Sequence, residues 1–314
     1  MNPISGIYGA ATALHNSLFN HGVLRTRRLA KPVVSVGNLS AGGSGKTPFV
    51  VALGELLKER GITFDVLSRG YRRRTRGVMV VDPCGNASDF GDEPLLITRS
   101  LEVPVVVGES RYEAGRAAEE KFSSQLHLLD DGFQHRSLAR DLDVVLMTAE
   151  DFSDTLLPSG RLREPLSSLA RADMVVLPEG VDGEHASLRG KKVWRIRREI
   201  HVENCGERPI AFCGIARPKQ FFAQLRGTGI SPAAEVAFRD HHAYSENDVQ
   251  RLIAMGRDRG ASGFLTTEKD AINLAGMRSR LEPLALAKLT IAIDRGADFV
   301  DAVVARIGLG KPRS

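Results

Sequence analysis

The sequence predicts an α/β protein whose mostly parallel β-sheet is covered by helices on both faces. Short β-branched runs alternate with helical patterns from residue 33 to about residue 178, which is typical of such a sheet. A second alternating series begins at Pro209. A glycine-rich stretch follows the first strand of the first series, and the other functional residues are interpreted around it.

Composition restricts the class of protein. The chain has 314 residues, of which 42% are hydrophobic and 26% charged, so one large domain or two moderate ones can each bury a core. A net charge of +5 favours acidic partners, namely a nucleotide, a nucleic acid or an anionic membrane surface. Cys84, Cys205 and Cys213 are odd in number and lack metal-ligand spacing, so we expect neither a disulfide framework nor a zinc site. A reducing cytoplasm fits this cysteine usage best.

The first 24 residues are apolar and rich in small side chains, and arginines follow them. Histidines and asparagines interrupt the stretch, which argues against a membrane-spanning helix. Its apolar residues recur at helical spacing, which predicts a helix with an apolar stripe. The helix either packs on the protein's own core or lies at a membrane interface, where the arginines that follow it meet anionic headgroups. The stripe consists of Ile4, Ile7, Tyr8, Ala11, Leu14 and Leu18.

The glycine-rich stretch has the features of a phosphate-binding loop. A strand over 33–36 leads into the loop, and a helical pattern over 49–60 follows it. Glycines let the backbone wrap an anion, and the helix N-terminus adds unpaired N–H groups. Lys46 would neutralise the outer phosphates, and the Thr47 hydroxyl would bind a nucleotide-bound Mg²⁺. Ser40 replaces the first glycine of G-x-x-x-x-G-K-[ST], so an ordinary glycine-rich turn is the alternative. The predicted ATP-binding residues of this loop are Gly42, Gly43, Ser44, Gly45, Lys46 and Thr47.

The remaining elements follow in chain order. In the first series we expect strands over 63–67, 78–81, 103–107 and 126–130, helices from residue 91 and over 109–121, and strands over 143–147 and 174–177. Residues 192–202 alternate charged and apolar side chains like an exposed strand pair, which indicates a linker or small ribbon. In the second series we expect strands over 210–213, 234–238, 263–265 and 286–293, and helices over 218–225, 246–257 and 297–307.

Two carboxylate pairs are candidates for the chemistry. Asp130 and Asp131 end an apolar strand, where a carboxylate can hold Mg²⁺ opposite a phosphate loop, and Gln134 follows beside the metal position. Asp92 and Glu93 open a helix, so one of them is a base for a substrate hydroxyl and the other a metal ligand, or Asp92 simply caps the helix.

Basic residues around these carboxylates suit an anionic substrate. The loop at 72–76 follows a strand end, where ligands collect in open α/β sheets. Arg163, with Arg161, is a candidate to brace transferring phosphoryl charge, or it lies in a plain surface loop. His241 could share a proton with a carboxylate, and residues 266–270 suit a contact to the nucleotide. We assign four residues to substrate binding: Arg69, Arg72, Arg111 and His135.

Taken together, these segments resemble the tetraacyldisaccharide 4′-kinase family of lipid A synthesis. The resemblance runs from the N-terminus to near residue 275, and its motifs lie at 35–48, 68–71, 91–94, 130–135, 157–165, 212–218, 240–242 and 266–270. It implies an ATP-dependent kinase that transfers the γ-phosphate to the 4′-hydroxyl of tetraacyldisaccharide 1-phosphate and so forms lipid IVA. The implied partners are this acylated disaccharide lipid and the cytoplasmic face of the inner membrane of a Gram-negative bacterium, with no nucleic acid, and we expect a monomer.

The same resemblance implies an architecture and residue roles. A membrane-associating helix (1–30), a P-loop NTPase-type kinase domain (31–178), a two-stranded linker ribbon (179–208) and a smaller C-terminal α/β domain (209–314) are expected, with a last helix able to pack back on the first domain. Asp92 is implied as the general base, paired with His241, and Lys46 and Arg163 as further catalytic residues. ATP is implied to contact Gln134, and the implied metal ligands for Mg²⁺ are Thr47, Glu93, Asp130 and Asp131.

Two other classes of protein fit parts of the sequence. A P-loop partitioning or metal-chaperone switch would hydrolyse ATP without an acceptor, but such loops commonly carry a lysine where this chain has Ala41. A nucleic-acid-binding protein would use the arginine loop, but only Tyr71 lies near it to stack on bases, and no recognition helix is evident.

Overall fold

The computed structural model describes residues 3–309, so the parts of the predicted first and last segments at 1–2 and 310–314 lie outside the described residues. The strands are β1 (Val33–Asn38), β2 (Phe64–Ser68), β3 (Met79–Val80), β4 (Val105–Val107), β5 (Leu126–Asp130), β6 (Leu142–Leu146), β7 (Met174–Pro178), β8 (Lys192–Val202), β9 (Ile210–Cys213), β10 (Ala234–Ala237), β11 (Phe264–Thr267) and β12 (Leu284–Ile293). The α-helices are α1 (Pro3–Asn20), α2 (Lys46–Glu59), α3 (Ala87–Phe90), α4 (Asp92–Leu101), α5 (Arg111–Lys121), α6 (Pro218–Gly227), α7 (Glu246–Asp258), α8 (Glu268–Leu274) and α9 (Gly296–Ile307).

The described strands form one twelve-stranded sheet in the order β10-β9-β11-β12-β8-β7-β6-β1-β5-β2-β4-β3. The central strand β1 pairs in parallel with both β5 and β6. Parallel pairing continues outward through the first series, and the short edge strand β3 is antiparallel. The strands β9, β10, β11 and β12 are also parallel to one another. The predicted α/β class with a mostly parallel sheet is therefore confirmed.

The sheet changes direction at one place. Strand β12 is antiparallel to β8, with residues from Ala287 to Ile293 opposite residues from Val202 to Ile196. This pair joins the two parallel blocks of the sheet. The prediction that residues 192–202 contain a strand pair is wrong, because they form a single strand whose antiparallel partner lies ninety residues further on. Alternation of exposed and buried side chains marks a strand but does not identify its partner.

Helices cover both faces of the first block. Helices α2, α4 and α9 share one apolar core with the sheet, in which Phe49, Leu95 and Phe299 are fully buried. Helix α5 packs on the opposite face through Ala114 and Ala118. The last helix, α9, therefore packs on the first block, and the phosphate-loop helix α2 is fixed between β1 and this core.

Helix α1 lies on the surface and contributes no buried residue. It is held by polar contacts: the Tyr8 hydroxyl donates to the carbonyl of Arg163 over 3.0 Å, and Asn16 donates to Glu164 over 2.8 Å. The interpretation that it packs into the core is wrong, because Ile4, Ile7 and Leu14 are 58%, 70% and 62% exposed. None of the described helices is long and apolar enough to cross a membrane.

Candidate active site

A cavity of about 1310 Å³ lies at the carboxyl end of β1 and is bounded by both blocks of the sheet. Large clefts at this end of parallel strands are the usual ligand sites of α/β sheets. Arg161, which pairs with Asp154, and Asp92 do not line it. The predicted site residues that do are Gly42, Gly43, Ser44, Gly45, Lys46, Thr47, Arg69, Arg72, Glu93, Arg111, Asp130, Asp131, Gln134, His135, Arg163 and His241.

The glycine-rich loop connects β1 to α2 through left-handed backbone conformations. Gly42, Gly43 and Gly45 have φ values of 75°, 63° and 82°, which cost a glycine little and other residues more. Gly45 is the N-cap of α2, and no side chain in the described part of the chain caps the helix. The first N–H groups of α2 are therefore available to a ligand beside Lys46 and Thr47.

Lys46 and Arg163 converge on Asp131. The Arg163 guanidinium donates to both Asp131 carboxylate oxygens over 2.8 and 2.9 Å, and Lys46 Nζ lies 3.5 Å from Asp131 Oδ1. Burial would raise the pKa of Asp131, but the charges of Lys46 and Arg163 outweigh it and hold the pKa well below its usual range. Both cations also donate to the side-chain oxygen of Asn38, the last residue of β1.

Asp130 has the opposite environment. It is fully buried, and burial, followed by the nearby negative charges of Glu93 and Asp131, raises its pKa to about 7. Its Oδ2 accepts a hydrogen bond from Ser68 over 3.2 Å, whereas its buried Oδ1 has no hydrogen-bond partner among residues 3–309. A buried carboxylate oxygen without a partner is costly unless a ligand satisfies it.

Asp92 and His241 come from different blocks and form a pair at the side of the cavity. His241 Nδ1 lies 2.8 Å from Asp92 Oδ2 and 3.0 Å from Oδ1. Burial would raise the pKa of Asp92, but the hydrogen bond from His241 and the charge of Lys269 lower it to about 2. The interpretation of Asp92 as a helix cap is wrong in position, because Gly91 is the N-cap of α4 and Asp92 is the first helical residue.

The remaining basic residues differ in exposure. Arg69 is exposed, whereas Arg111 is 6% exposed, and burial followed by the charge of Arg69 lowers its pKa to about 10. Burial, followed by the charge of Arg111, lowers the pKa of His135 to about 4, so its imidazole is neutral near pH 7. Arg72 donates to the carbonyls of Asp240 and His241 and so holds the loop that carries His241.

Four further residues contact the site, of which only Lys269 lay in a segment predicted from the sequence to contact the nucleotide. Arg198 donates to the carbonyl of Ser44, and Arg217 packs over Gly43 and bonds Glu150 over 3.4 Å. Lys269 lies 3.2 Å from Glu93 Oε1, and Asn38 accepts from Lys46 as described. Asn38 could have been found as a polar strand end before the loop. Nothing in the sequence distinguished Arg198 as a site residue, because charged and apolar residues alternate along the whole of its strand.

A charged cavity at the loop after the first strand of a mostly parallel sheet is the arrangement of an α/β kinase. A family model described as tetraacyldisaccharide-1-P 4′-kinase matches residues 1–307, and the chain belongs to this family. The function predicted from the sequence, a lipid A 4′-kinase, is confirmed.

Relatives of this family cover nearly the whole chain. The tetraacyldisaccharide 4′-kinase of Koribacter versatilis is 47% identical and aligns with 97% of this chain and 98% of its own. The enzyme of the same name from Aquifex aeolicus is 38% identical over 87% of this chain and 89% of its own. Among solved structures, the "apo" form of LpxK from Aquifex aeolicus in complex with ATP superposes with a TM-score of 0.77 at 35% identity and covers 97% of both chains.

Proposed function

We propose that this kinase binds ATP at the loop between β1 and α2 and transfers the γ-phosphate to the 4′-hydroxyl of tetraacyldisaccharide 1-phosphate, forming lipid IVA. The observation that carries the proposal is that the loop, the Asp130–Asp131 pair and the Asp92–His241 pair meet at one cavity. The N–H groups at the start of α2 would hold the β- and γ-phosphates, with Lys46 neutralising their charge and Gln134 beside them.

The residues around Asp130 fit Mg²⁺. Its partnerless Oδ1 suits a cation, and the Thr47 hydroxyl and Glu93 carboxylate line the same cavity. Among residues 3–309, no cluster of three or more His, Cys, Asp or Glu side chains is placed to hold a metal by itself. That suits Mg²⁺, which in kinases is held by one or two carboxylates together with nucleotide phosphates and water. Asp131 would be a further Mg²⁺ ligand once the nucleotide phosphates replace it as the partner of Lys46 and Arg163.

Asp92 would accept the proton of the 4′-hydroxyl as that oxygen attacks the γ-phosphorus and ADP leaves. A carboxylate with a pKa of about 2 is a weak base, so it acts by orienting the hydroxyl and receives the proton late, as a loose phosphoryl transition state allows. His241 holds this carboxylate in place. Arg163 would stabilise charge on the transferring group.

Arg69, Arg111 and neutral His135 also line the cavity, and we assign them to the acylated disaccharide. Arg72 would act there by holding the His241 loop. We place the domain boundaries at the predicted positions, 31–178 and 209–314, with β8 in the linker between them and paired with β12 of the second domain. Arg198 of the linker strand β8 and Arg217 of the second domain would sense the nucleotide, since both lie against the phosphate loop.

We also propose that a monomer works at the cytoplasmic face of the inner membrane. The exposed stripe of Ile4, Ile7 and Leu14 on α1 supports this, because an uncharged helix with an apolar outer face suits the headgroup boundary. The basic residues that follow α1, Arg25, Arg27 and Arg28, are also exposed and would meet anionic lipids.

Transfer of radiolabelled phosphate from ATP to tetraacyldisaccharide 1-phosphate in detergent micelles tests the whole assignment. We expect product labelled at the 4′-position with the native chain and loss of labelling with Lys46→Ala. ATP hydrolysis without labelled acceptor would contradict the transfer and favour a nucleotide switch. Labelled product from Lys46→Ala would remove the loop from the ATP site.

A further inference from the structure

Helix α8 carries two side chains that the proposed chemistry does not use. Lys269 and Asn273 are four residues apart and therefore lie on one face of the helix. Both reach the start of α4 in the other block of the sheet: Asn273 Nδ2 donates to Asp92 Oδ2 over 3.0 Å, and Lys269 Nζ lies 3.2 Å from Glu93 Oε1. The helix thus contacts both carboxylates of the Asp92–Glu93 pair.

Lys269 also contacts the second nitrogen of His241. Its Nζ lies 3.3 Å from His241 Nε2, on the opposite side of the ring from Asp92. An ammonium group can only donate hydrogen bonds, so Nε2 must accept. The ring proton then sits on Nδ1, where the Asp92 carboxylate, which only accepts, lies 2.8 Å away. Both ring nitrogens are therefore committed, and the orientation of the imidazole follows from its two neighbours.

The surroundings allow no easy substitute for Lys269. Its side chain is 16% exposed, and besides Glu93 it faces Asp92 Oδ2 at 3.8 Å and Asp240 Oδ1 at 3.9 Å. A partly buried cation between three carboxylates has few other positions available. The positive charge of Lys269 therefore links α8 to the His241 loop and to the start of α4.

We propose that α8 is a positioning helix for phosphoryl transfer, in which Lys269 fixes the tautomer and orientation of His241 and Asn273 holds the carboxylate of Asp92. The inference rests on the proposed role of Asp92 and His241 in the reaction. Residues 266–270 were predicted to contact the nucleotide, whereas Lys269 instead acts on the group that would orient the acceptor hydroxyl. A misplacement of about 1 Å at such a group can cost on the order of 10²-fold in rate.

Kinetics of three variants test this role. We expect Lys269→Met to lower kcat about 10²-fold while KM for ATP stays unchanged, and Lys269→Arg, which keeps the charge and donors, to restore much of the loss. Lys191→Met is the matched control, since Lys191 likewise makes two hydrogen bonds, to the carbonyls of Ala170 and Ala172 over 2.8 Å, but lies away from the cavity, and it should keep full activity. Because Lys269 acts through His241, adding Lys269→Met to His241→Gln should lower kcat little further.

Nitrogen NMR of histidine-labelled native protein gives a readout that does not need turnover, with the His241 signals identified by their absence in His241→Gln. We expect Nδ1 protonated and Nε2 unprotonated. Protonated Nε2 in a neutral His241 ring would overturn the proposal, as would unchanged kcat in Lys269→Met beside an inactive Asp92→Asn. An active Asp92→Asn would instead overturn the proposed base, and the positioning role would fall with it.

Discussion

Asp92 and Asp130 show how different surroundings shift the pKa values of two carboxylates of one site in opposite directions. Asp92 accepts hydrogen bonds from His241, Asn273 and its neighbour's N–H, so it is ionised even in acid. Asp130 lies at the end of β5 with negative neighbours and an unpartnered oxygen, so its charged form is disfavoured. The first is prepared to orient a hydroxyl, and the second to receive a cation.

Replacing Asp92 by asparagine should lower kcat by about 10²- to 10⁴-fold, the usual contribution of a positioned general base. ATP affinity should stay nearly intact, because the proposed contacts to ATP are made by the loop at 42–47 and by Gln134, and not by Asp92. Steady-state phosphate transfer and nucleotide titration measure the two effects. Asp173→Asn, which removes a surface ion pair with Arg306, is the control. Native turnover in Asp92→Asn would show that another group receives the proton.

Magnesium binding should be linked to the proton on Asp130. With its pKa raised to about 7, this carboxyl is protonated in acid and ionised in base, and only the ionised form ligates a cation. Affinity for Mg²⁺, measured by calorimetry with a non-hydrolysable ATP analogue, should therefore fall from about pH 8 to about pH 6, with proton release on binding near neutrality. Asp130→Asn should bind Mg²⁺ more weakly and lose this linked proton. Proton uptake on binding would contradict the assignment.

At the level of single residues, sequence motifs predicted those side chains whose chemistry is local. The glycine-rich loop identified Lys46 and Thr47 as site residues. The apolar strand that ends at Asp130 identified Asp130 and Asp131. Arg198, Arg217 and Lys269 act through contacts to the other block of the sheet, and nothing next to them in the chain indicates which element they will meet. Arg73 illustrates the converse: it belongs to a basic run, yet its side chain is 2% exposed and pairs with Glu109.

At the level of elements, the phosphate loop is shaped by its neighbours as well as by its glycines. A Cβ at Gly43 would lie 2.7 Å from Arg217 Cγ, so a side chain there would force the Arg217 side chain to move. The helix and strand on either side of the loop were predictable from periodicity. The close approach of Arg217 was not, because it depends on how two distant segments pack.

Gly43→Ala should therefore weaken ATP binding beyond its effect on stability. Gly61→Ala is a matched control, since Gly61 also has a positive φ (67°) but has open space where its Cβ would lie. Both variants should lose about 1–2 kcal/mol of stability from left-handed backbone strain, and only Gly43→Ala should raise the Kd for ATP. Thermal unfolding and nucleotide titration separate the two effects. Equal Kd values in both variants would show that Arg217 does not constrain the loop.

At the level of the whole molecule, the active cavity exists because the sheet reverses direction at β8 and β12. The first block supplies the loop, Asp92 and the Asp130–Asp131 pair, and the second supplies His241 and Lys269. The sequence predicted two α/β series and a connecting ribbon. It gave no means to pair β8 with β12, because strand register is set by tertiary packing over ninety residues of chain.

The outer surface of α1 leads to a last prediction at this scale. Deleting residues 1–24 would also remove the contacts of Tyr8 and Asn16 with the Arg163–Glu164 segment, so a loss of activity would have two causes. Changing only the exposed face avoids this: Ile4→Ser, Ile7→Ser and Leu14→Ser together remove three side chains whose full burial contributes about 1.5–3 kcal/mol each. Sedimentation with vesicles of phosphatidylethanolamine and phosphatidylglycerol should show at least about tenfold weaker binding for this triple variant.

The control for this measurement is the double variant Ile4→Leu and Ile7→Leu, which keeps the surface apolar and should bind vesicles like the native chain. Transfer of phosphate to acceptor dispersed in detergent micelles should stay close to native in the serine variant, because its polar contacts to Arg163 and Glu164 are retained. Undiminished vesicle binding would mean that the exposed arginines after α1, rather than its apolar face, hold the enzyme at the membrane. Raised salt would then release it, since screening weakens contacts between exposed charges but not apolar burial.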